Sequence, residues 1–316
     1  MGCSNGTVTE SKGIEFQRAK SIKLHPIETN CQIISGHKDS ISEIIILKDG
    51  RLCSSSWDGT IKIWNENDKK ICDETFENPN KESLLCCIQI YDETIISGDS
   101  DSLIFQFKLN NNEPINTYNG HSEAIYCLLN LNEKEFASCS EDTFINIWEI
   151  NQSEHEKIKL SGHKGKVNKI ILLKNGNLAS CSNDCTIKIW EYQNKFCHHT
   201  LDSSECCMEI IELKNRKILA SYFNKDLKIW DYEKHQCTQL NHSHQNYISF
   251  LFEYKEHNIL SCSYDGEIEF WNINDNNKQK KGKIKRWHEG NISSVILFGN
   301  NFISGGYDNL IKIWPI

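Results

Sequence analysis

The sequence predicts an all-β chain, a seven-bladed β-propeller whose last blade is closed by an amino-terminal strand. Two observations carry this. A phrase ending in Ile-Trp or a close variant recurs seven times, anchored at Trp64, Phe107, Trp148, Trp190, Trp230, Trp271 and Trp314. Successive anchors lie 43, 41, 42, 40, 41 and 43 residues apart, the length of four short strands with their turns. Within each copy, tight turns separate runs of period two, and no helical periodicity survives across a whole repeat.

Blade 1 shows the grammar. Gly36 and His37 form a turn into an apolar strand from Ile41 to Leu47. Lys48 to Gly50 reverse the chain into a small-residue strand, Leu52 to Ser56. A second turn holding Asp58 and Gly59 feeds the alternating strand Thr60 to Trp64, and a more polar outer strand follows. The chain reaches Ile316 two residues after its seventh anchor, so blade 7 is expected to lack an outer strand of its own. The segment from Cys31 to Ser35 has no earlier blade to join and is expected to fill that edge. The expected organisation is a flexible tether over 1–20 and one propeller over 21–316.

Bulk composition narrows the function. Of 316 residues, 38% are hydrophobic and 25% charged, as in an ordinary globular protein, and seven coupled blades make one domain at this length. A net charge of −8 argues against nucleic acid as the main partner. No apolar run reaches the ~18 residues of a membrane span, and no secretory signal follows Met1. The expected location is cytoplasmic, with the cytosolic face of a membrane as a variant.

The fifteen cysteines do not read as a disulfide framework. Cys53, Cys139, Cys181 and Cys262 share one place in four repeats, alternating with serine, and are expected to be small buried side chains. Cys197, His198, His199, Cys206 and Cys207 match no common zinc spacing, so no metal or other cofactor is expected.

Gly-His, then Ser-x-x-x-Asp, then Trp six residues after the Asp, resembles the WD-repeat family, typified by the heterotrimeric G-protein β subunit. The resemblance runs from about residue 22 to 316, although the name-giving Trp-Asp pair stands at only one anchor, Trp230-Asp231. It implies a buried hydrogen-bond relay in each complete blade: His37, Ser54, Asp58 and Trp64 in blade 1; His121, Ser138, Asp142 and Trp148 in blade 3. Blade 4 would supply His163, Ser180, Asp184 and Trp190; blade 6, His244, Ser261, Asp265 and Trp271; blade 7, His288, Ser304, Asp308 and Trp314. His, Ser and Asp together suggest a hydrolase triad, but five near-identical copies on a structural period are a scaffold, so no enzyme is expected. Blade 2 keeps Ser97 and Asp101 but has Phe107 and no Gly-His; blade 5 has Ser203 for His and Asn224 for Asp.

The same resemblance implies that partners contact the positions three and five residues after the histidine and just before the turn Asp. Aromatics gather there: Trp57, Tyr126, Phe223, Tyr247, Tyr264 and Tyr307, with Glu141 and Lys166 among the polar members. The expected function is a non-catalytic scaffold, monomeric alone, holding protein or peptide partners on this top face. The alternatives are a phospholipid-binding propeller, whose Phe-Arg-Arg-Gly motif is absent, and a ubiquitin-ligase substrate adaptor. The adaptor's expected Arg is replaced by residues such as Asn67, Gln193 and Glu233. The start "MGCSNG" resembles dually acylated signalling proteins, with myristate on Gly2 and palmitate on Cys3, though Gly6 stands where Ser or Thr belongs. The lead of about 20 residues, with Lys12, Arg18, Lys20 and Lys23, would work as a tether. A second basic run, Lys278 to Arg286, reads as a solvated outer strand or loop, with a hold on anionic lipid as the alternative if the amino terminus closes blade 7.

Overall fold

The short Ile/Val-rich runs and their Asp-Gly or Asn-containing turns fold into seven four-stranded antiparallel sheets. The structure is a computed structural model; it describes residues 31–315 apart from 66–67, 69–70, 92, 153–155, 241–243, 274–278 and 285–286. Gly2, Cys3, the expected tether over 1–20 and the side chains of the basic run 278–286 lie outside the described residues. Blade 1 comprises Ile41–Ile46, Leu52–Ser56, Thr60–Trp64 and Cys72–Glu77, in that order from inner to outer edge. The only described helical element is a single 3₁₀ turn, Tyr192–Asn194.

Blade 7 is built from both ends of the chain. Gln32–Ser35 pairs antiparallel with Leu310–Pro315, Gln32 opposite Ile313 and Ser35 opposite Leu310. Ile34 drops into a cluster with Ile41, Ile44, Trp64, Ile303 and Ile311, so the closing strand is tied into the joint between blades 7 and 1. Ser293 Oγ donates to the Ile41 carbonyl at 2.6 Å across the same joint. The hydrophobic core is a series of such clusters, each made where one blade's face meets the next. Cys53, Cys139, Cys181 and Cys262 are fully buried within these faces.

The relay is present where the motif is whole. In blade 3, His121 Nδ1 is 2.7 Å from Asp142 Oδ2, His121 Nε2 is 2.7 Å from Ser138 Oγ, and Trp148 Nε1 donates to Ser138 Oγ at 2.7 Å. Blades 1 and 4 repeat it within 2.7–3.0 Å. Indole is donor only and an ionised carboxylate acceptor only, so Trp donates to Ser and the ring Nδ1–H donates to Asp. In the tautomer with its single ring proton on Nδ1, the Ser hydroxyl donates to Nε2. The aspartate also accepts backbone N–H groups, as Asp142 does from Ser122 and Phe144. Burial opposes its charge, but these donors win and hold Asp142 below the usual carboxylate range. In blade 6, His244 keeps Ser261 at 2.9 Å, but its Nδ1 stands 3.4 Å from Asp265.

Blade 7 corrects the expected relay. Ser304 accepts from Trp287 Nε1 at 2.8 Å, not from Trp314, whose indole N–H has no partner. The cause is steric. In blades 1 and 3 the residue before the histidine is glycine, and a Cβ on Gly36 or Gly120 would lie 3.0 or 2.8 Å from the tip of the blade tryptophan. Blade 7 has Trp287 at that position, and its ring sits 4.9 Å from that of Trp314 and takes over the serine. Room comes from Gly306, which replaces the serine found at that register in blade 1; a Cβ there would lie 2.4 Å from His288 Nδ1. Trp314 is held instead by Phe302, at 4.7 Å between rings.

Blades 2 and 5 re-satisfy their polar groups by other means. In blade 2 the turn carboxylate at work is Asp99 rather than Asp101: it accepts from the backbone of Asp101 and Leu103 and from Asn78 Nδ2 at 3.1 Å. Ser97 donates to the Cys86 carbonyl, because blade 2 has no imidazole to take its proton. In blade 5 Ala220 occupies the serine register, and Trp230 Nε1 donates to the hydroxyl of fully buried Tyr222 at 2.7 Å. Asn224 caps its own turn by accepting from the Asp226 N–H.

Two outcomes follow from this construction. Removing residues 1–35 takes away the closing strand and is expected to lower the melting temperature by roughly 10 °C or more, while removing 1–20 leaves it unchanged; calorimetry of the two truncations checks this. Tyr222→Phe leaves the Trp230 N–H buried and unpaired and is expected to cost about 1–3 kcal/mol in denaturant unfolding. Adding Ala220→Ser restores an acceptor at the blade register and should recover about half of that loss or more.

Candidate functional site

The face that carries the relay turns is positioned by one backbone bond repeated in every blade. The N–H of the residue before the turn acid donates to the carbonyl of the residue three past the histidine position: Trp57 to Ser40, Ser100 to Ser83, Glu141 to Ala124 and Asn183 to Lys166. Phe223 to Cys206, Tyr264 to Tyr247 and Tyr307 to Asn291 complete the set, all within 2.9–3.2 Å. The side chains at these positions therefore rise from fixed points around the channel mouth.

Five of the six aromatics form one continuous arc. Phe223 stacks on Tyr247 at 5.2 Å, Tyr247 meets Tyr264 at 4.0 Å, Tyr264 meets Tyr307 edge-on at 5.6 Å, and Tyr307 meets Trp57 at 4.9 Å. The arc runs over blades 5, 6, 7 and 1 and crosses the joint that the closing strand secures. The Tyr264 and Tyr307 hydroxyls are 3.2 Å apart. Burial and then its tyrosine neighbours push the Tyr264 phenol up. Phe223 is 56% exposed and Trp57 38%, which leaves the two ends of the arc open to contact.

Tyr126, Glu141 and Lys166 form a separate, polar cluster on blades 3 and 4. Lys166 Nζ lies 3.1 Å from the centre of the Tyr126 ring, and the Tyr126 hydroxyl donates to Glu141 Oε2 at 3.1 Å. Burial lowers Lys166 to about 8, against the pull of Glu141. Burial followed by Glu141 raises the Tyr126 phenol to about 12.

Below the mouth, the inner strands place one residue per blade at a common register: Glu43, Cys86, Cys127, Lys169, Glu209, Phe250 and Ser294. Lys169 Nζ lies 3.3 Å from Glu209 Oε1. Burial pushes Glu43 up and Glu209 to about 7, each opposed by Lys169. Sequence reasoning missed this triad, although a column of seven aligned inner-strand residues containing two acids and one lysine was the available signal. One further grouping, His244, Asp265 and Glu267, lies within 4.8 Å. It is the blade 6 relay, with Nε2 engaged by Ser261 and Asp265 held by backbone N–H groups of Gln245 and Glu267. Among the described residues, no helix is long and apolar enough to cross a membrane.

The WD domain, G-beta repeat family matches residues 28–65, 112–149, 155–191 and 280–315, which fall on blades 1, 3, 4 and 7 with their flanks. A WD repeat-containing protein 55 homolog of Dictyostelium discoideum is 29% identical over 111 residues, 35% of this chain and 27% of that protein. A ribosome biogenesis protein WDR12 homolog of Drosophila virilis is 27% identical over 153 residues, covering 47% of this chain and 36% of its own length. Human apoptotic protease-activating factor 1 is 27% identical over 133 residues, 39% of this chain and 10% of that protein. The chain thus spans about a quarter to a third of the first two relatives. Seven four-stranded blades, the His-Ser-Asp-Trp relay in the complete ones and the matched repeats agree, and the chain belongs to the WD-repeat family.

Proposed function

We propose that this chain is a non-catalytic scaffold that holds a protein or peptide partner on its top face, with the aromatic arc from Phe223 to Trp57 as the main contact. The observation that carries it is the arc's continuity across four blades. Rings held by their neighbours lose little freedom on binding, and their ends are exposed, which is the composition of interface anchors. A partner would bring apolar or arginine side chains to these ring faces. The Tyr126, Glu141 and Lys166 cluster would supply polar contacts at the rim. Relatives named for ribosome biogenesis and for apoptotic protease activation align with 47% and 39% of this chain, and their different names support an assembly role whose partner depends on this chain's own face. The His-Ser-Asp sets are engaged in structural relays, which supports the non-catalytic reading.

A second component is location. Acyl chains on Gly2 and Cys3 would bring the propeller to the cytosolic face of a membrane, a reading that rests on the Gly-Cys start.

Replacing Trp57, Tyr264 and Tyr307 together by alanine is expected to abolish partner recovery in affinity purification. Each anchor should contribute about 2 kcal/mol, or roughly thirtyfold in affinity. Melting should stay cooperative; partners retained by a folded triple variant would sink the arc as the contact. For the tether, mass spectrometry of the native amino-terminal peptide should show both acyl chains, and a free or acetylated Gly2 would overturn it.

A further inference from the structure

Three histidines outside the relays meet at the outer edge of the ring, between blades 4 and 5. His199 lies on the outer strand Phe196–Asp202 of blade 4. His235 lies in the turn that joins Leu227–Asp231 to Gln236–Leu240 in blade 5. His199 Nδ1 and His235 Nε2 face each other at 3.1 Å, with ring centres 5.0 Å apart and planes at 66°. The ring of His198 is centred 4.5 Å from that of His199. His198 and His235 are exposed and His199 is half-buried, so solvent reaches the pair.

The place has a counterpart elsewhere in the ring. In blade 1 the register of His199 is held by Glu74, which pairs with Ile63 as His199 pairs with Ile189. Glu74 reaches the turn of the next blade and accepts the Asn110 N–H at 2.7 Å. Asn110 and His235 both adopt left-handed backbone in that turn, at φ 64° and 52°. One joint is thus tied by a carboxylate and an amide, and the other presents two imidazoles from two fixed backbone points. The strand and the turn hold these points without further ordering.

Imidazole nitrogens bind zinc-class ions at about 2.0–2.1 Å, and two nitrogens 3.1 Å apart at that radius subtend about 98°. That angle lies between the roughly 90° of square or octahedral sites and the roughly 109° of tetrahedral ones. We infer that His199 and His235 form a bidentate site for a divalent transition-metal ion of the zinc or nickel class, clipping the outer edge of blade 4 to blade 5. Water fills the remaining positions, and His198 stands beside the ion. The short tract Cys197 to His199 matched no zinc spacing because its partner lies 36 residues on, in the next blade.

The test uses the full chain without a histidine tag, stripped by a chelator and titrated calorimetrically with zinc(II) and, separately, nickel(II). The wild type is expected to take up one equivalent of at least one ion, with a melting temperature that rises with free metal. His199→Ala and His235→Ala should each weaken that event about tenfold or more, since ligands matter at least as much as the groups that orient them. Cys197→Ser and His257→Ala should leave it unchanged. Binding of neither ion by the wild type, or equal binding by both histidine variants with folding intact by circular dichroism, would reduce the pair to an N–H···N hydrogen bond and overturn the site.

Discussion

A one-way chain of protons, from an indole that can only donate to a carboxylate that can only accept, is the constraint on which each complete blade depends. It fixes the serine as the acceptor of the indole N–H and the Nδ1 side of the histidine as the donor to the carboxylate. The carboxylate spends its remaining lone pairs on backbone N–H groups at the start of one strand and in the turn before another, as Asp58 does with Lys38 and Thr60. Three strands of a sheet and the incoming loop are thereby locked by a handful of atoms. The blade surfaces around them are apolar, so a broken link would leave a buried donor or acceptor unmet at about 1–3 kcal/mol.

Blade 5 shows that the buried indole can be met by an acceptor other than the serine, whereas blade 7 gives its serine to a second indole and leaves the Trp314 N–H unmet. Blade 5 replaces serine by alanine and reaches the indole with the Tyr222 hydroxyl from two residues along the same strand. Blade 7 replaces the donor instead: Trp287 occupies the glycine position and claims Ser304, and Gly306 makes way for the displaced imidazole. Each change is local to its own blade. That independence is expected of an architecture in which a unit touches only its neighbours.

Architecture was legible in the sequence because it rests on period. The 40 to 43 residue spacing, the turn residues and the surplus strand before His37 placed seven sheets and their closure, down to the pairing of Gln32–Ser35 with the last strand. Substitutions within the relay were not legible, since Trp314 matches its motif position perfectly and loses its bond only because a bulky neighbour reaches the serine first. Asp101 likewise fits the spacing while Asp99 does the work, because Asn78 meets the earlier carboxylate. The top-face aromatics were nameable one by one from their offsets. Their union into an arc depends on ring order, which brings Phe223 and Trp57, distant in sequence, to the two ends of one surface. His235 could not be paired with His199 for the same reason: adjacency there is a property of neighbouring blades.

The placement of the arc ties recognition to closure. Tyr307 rises from the last blade and Trp57 from the first, and their rings touch at 4.9 Å at the joint beside the sheet in which the two ends of the ring meet. Beneath them the joint is held by Ile34, by the Ser293 bond to Ile41 and by strand pairing from an added segment. Gly305 allows this close approach, since a Cβ there would lie 2.5 Å from the Ile41 side chain. A ring that opened at this seam would separate Tyr307 from Trp57 and split the surface in two. A ligand spanning both rings would favour the closed ring by the contacts it makes only there, so that binding on the top face and retention of the amino-terminal strand stabilise one another.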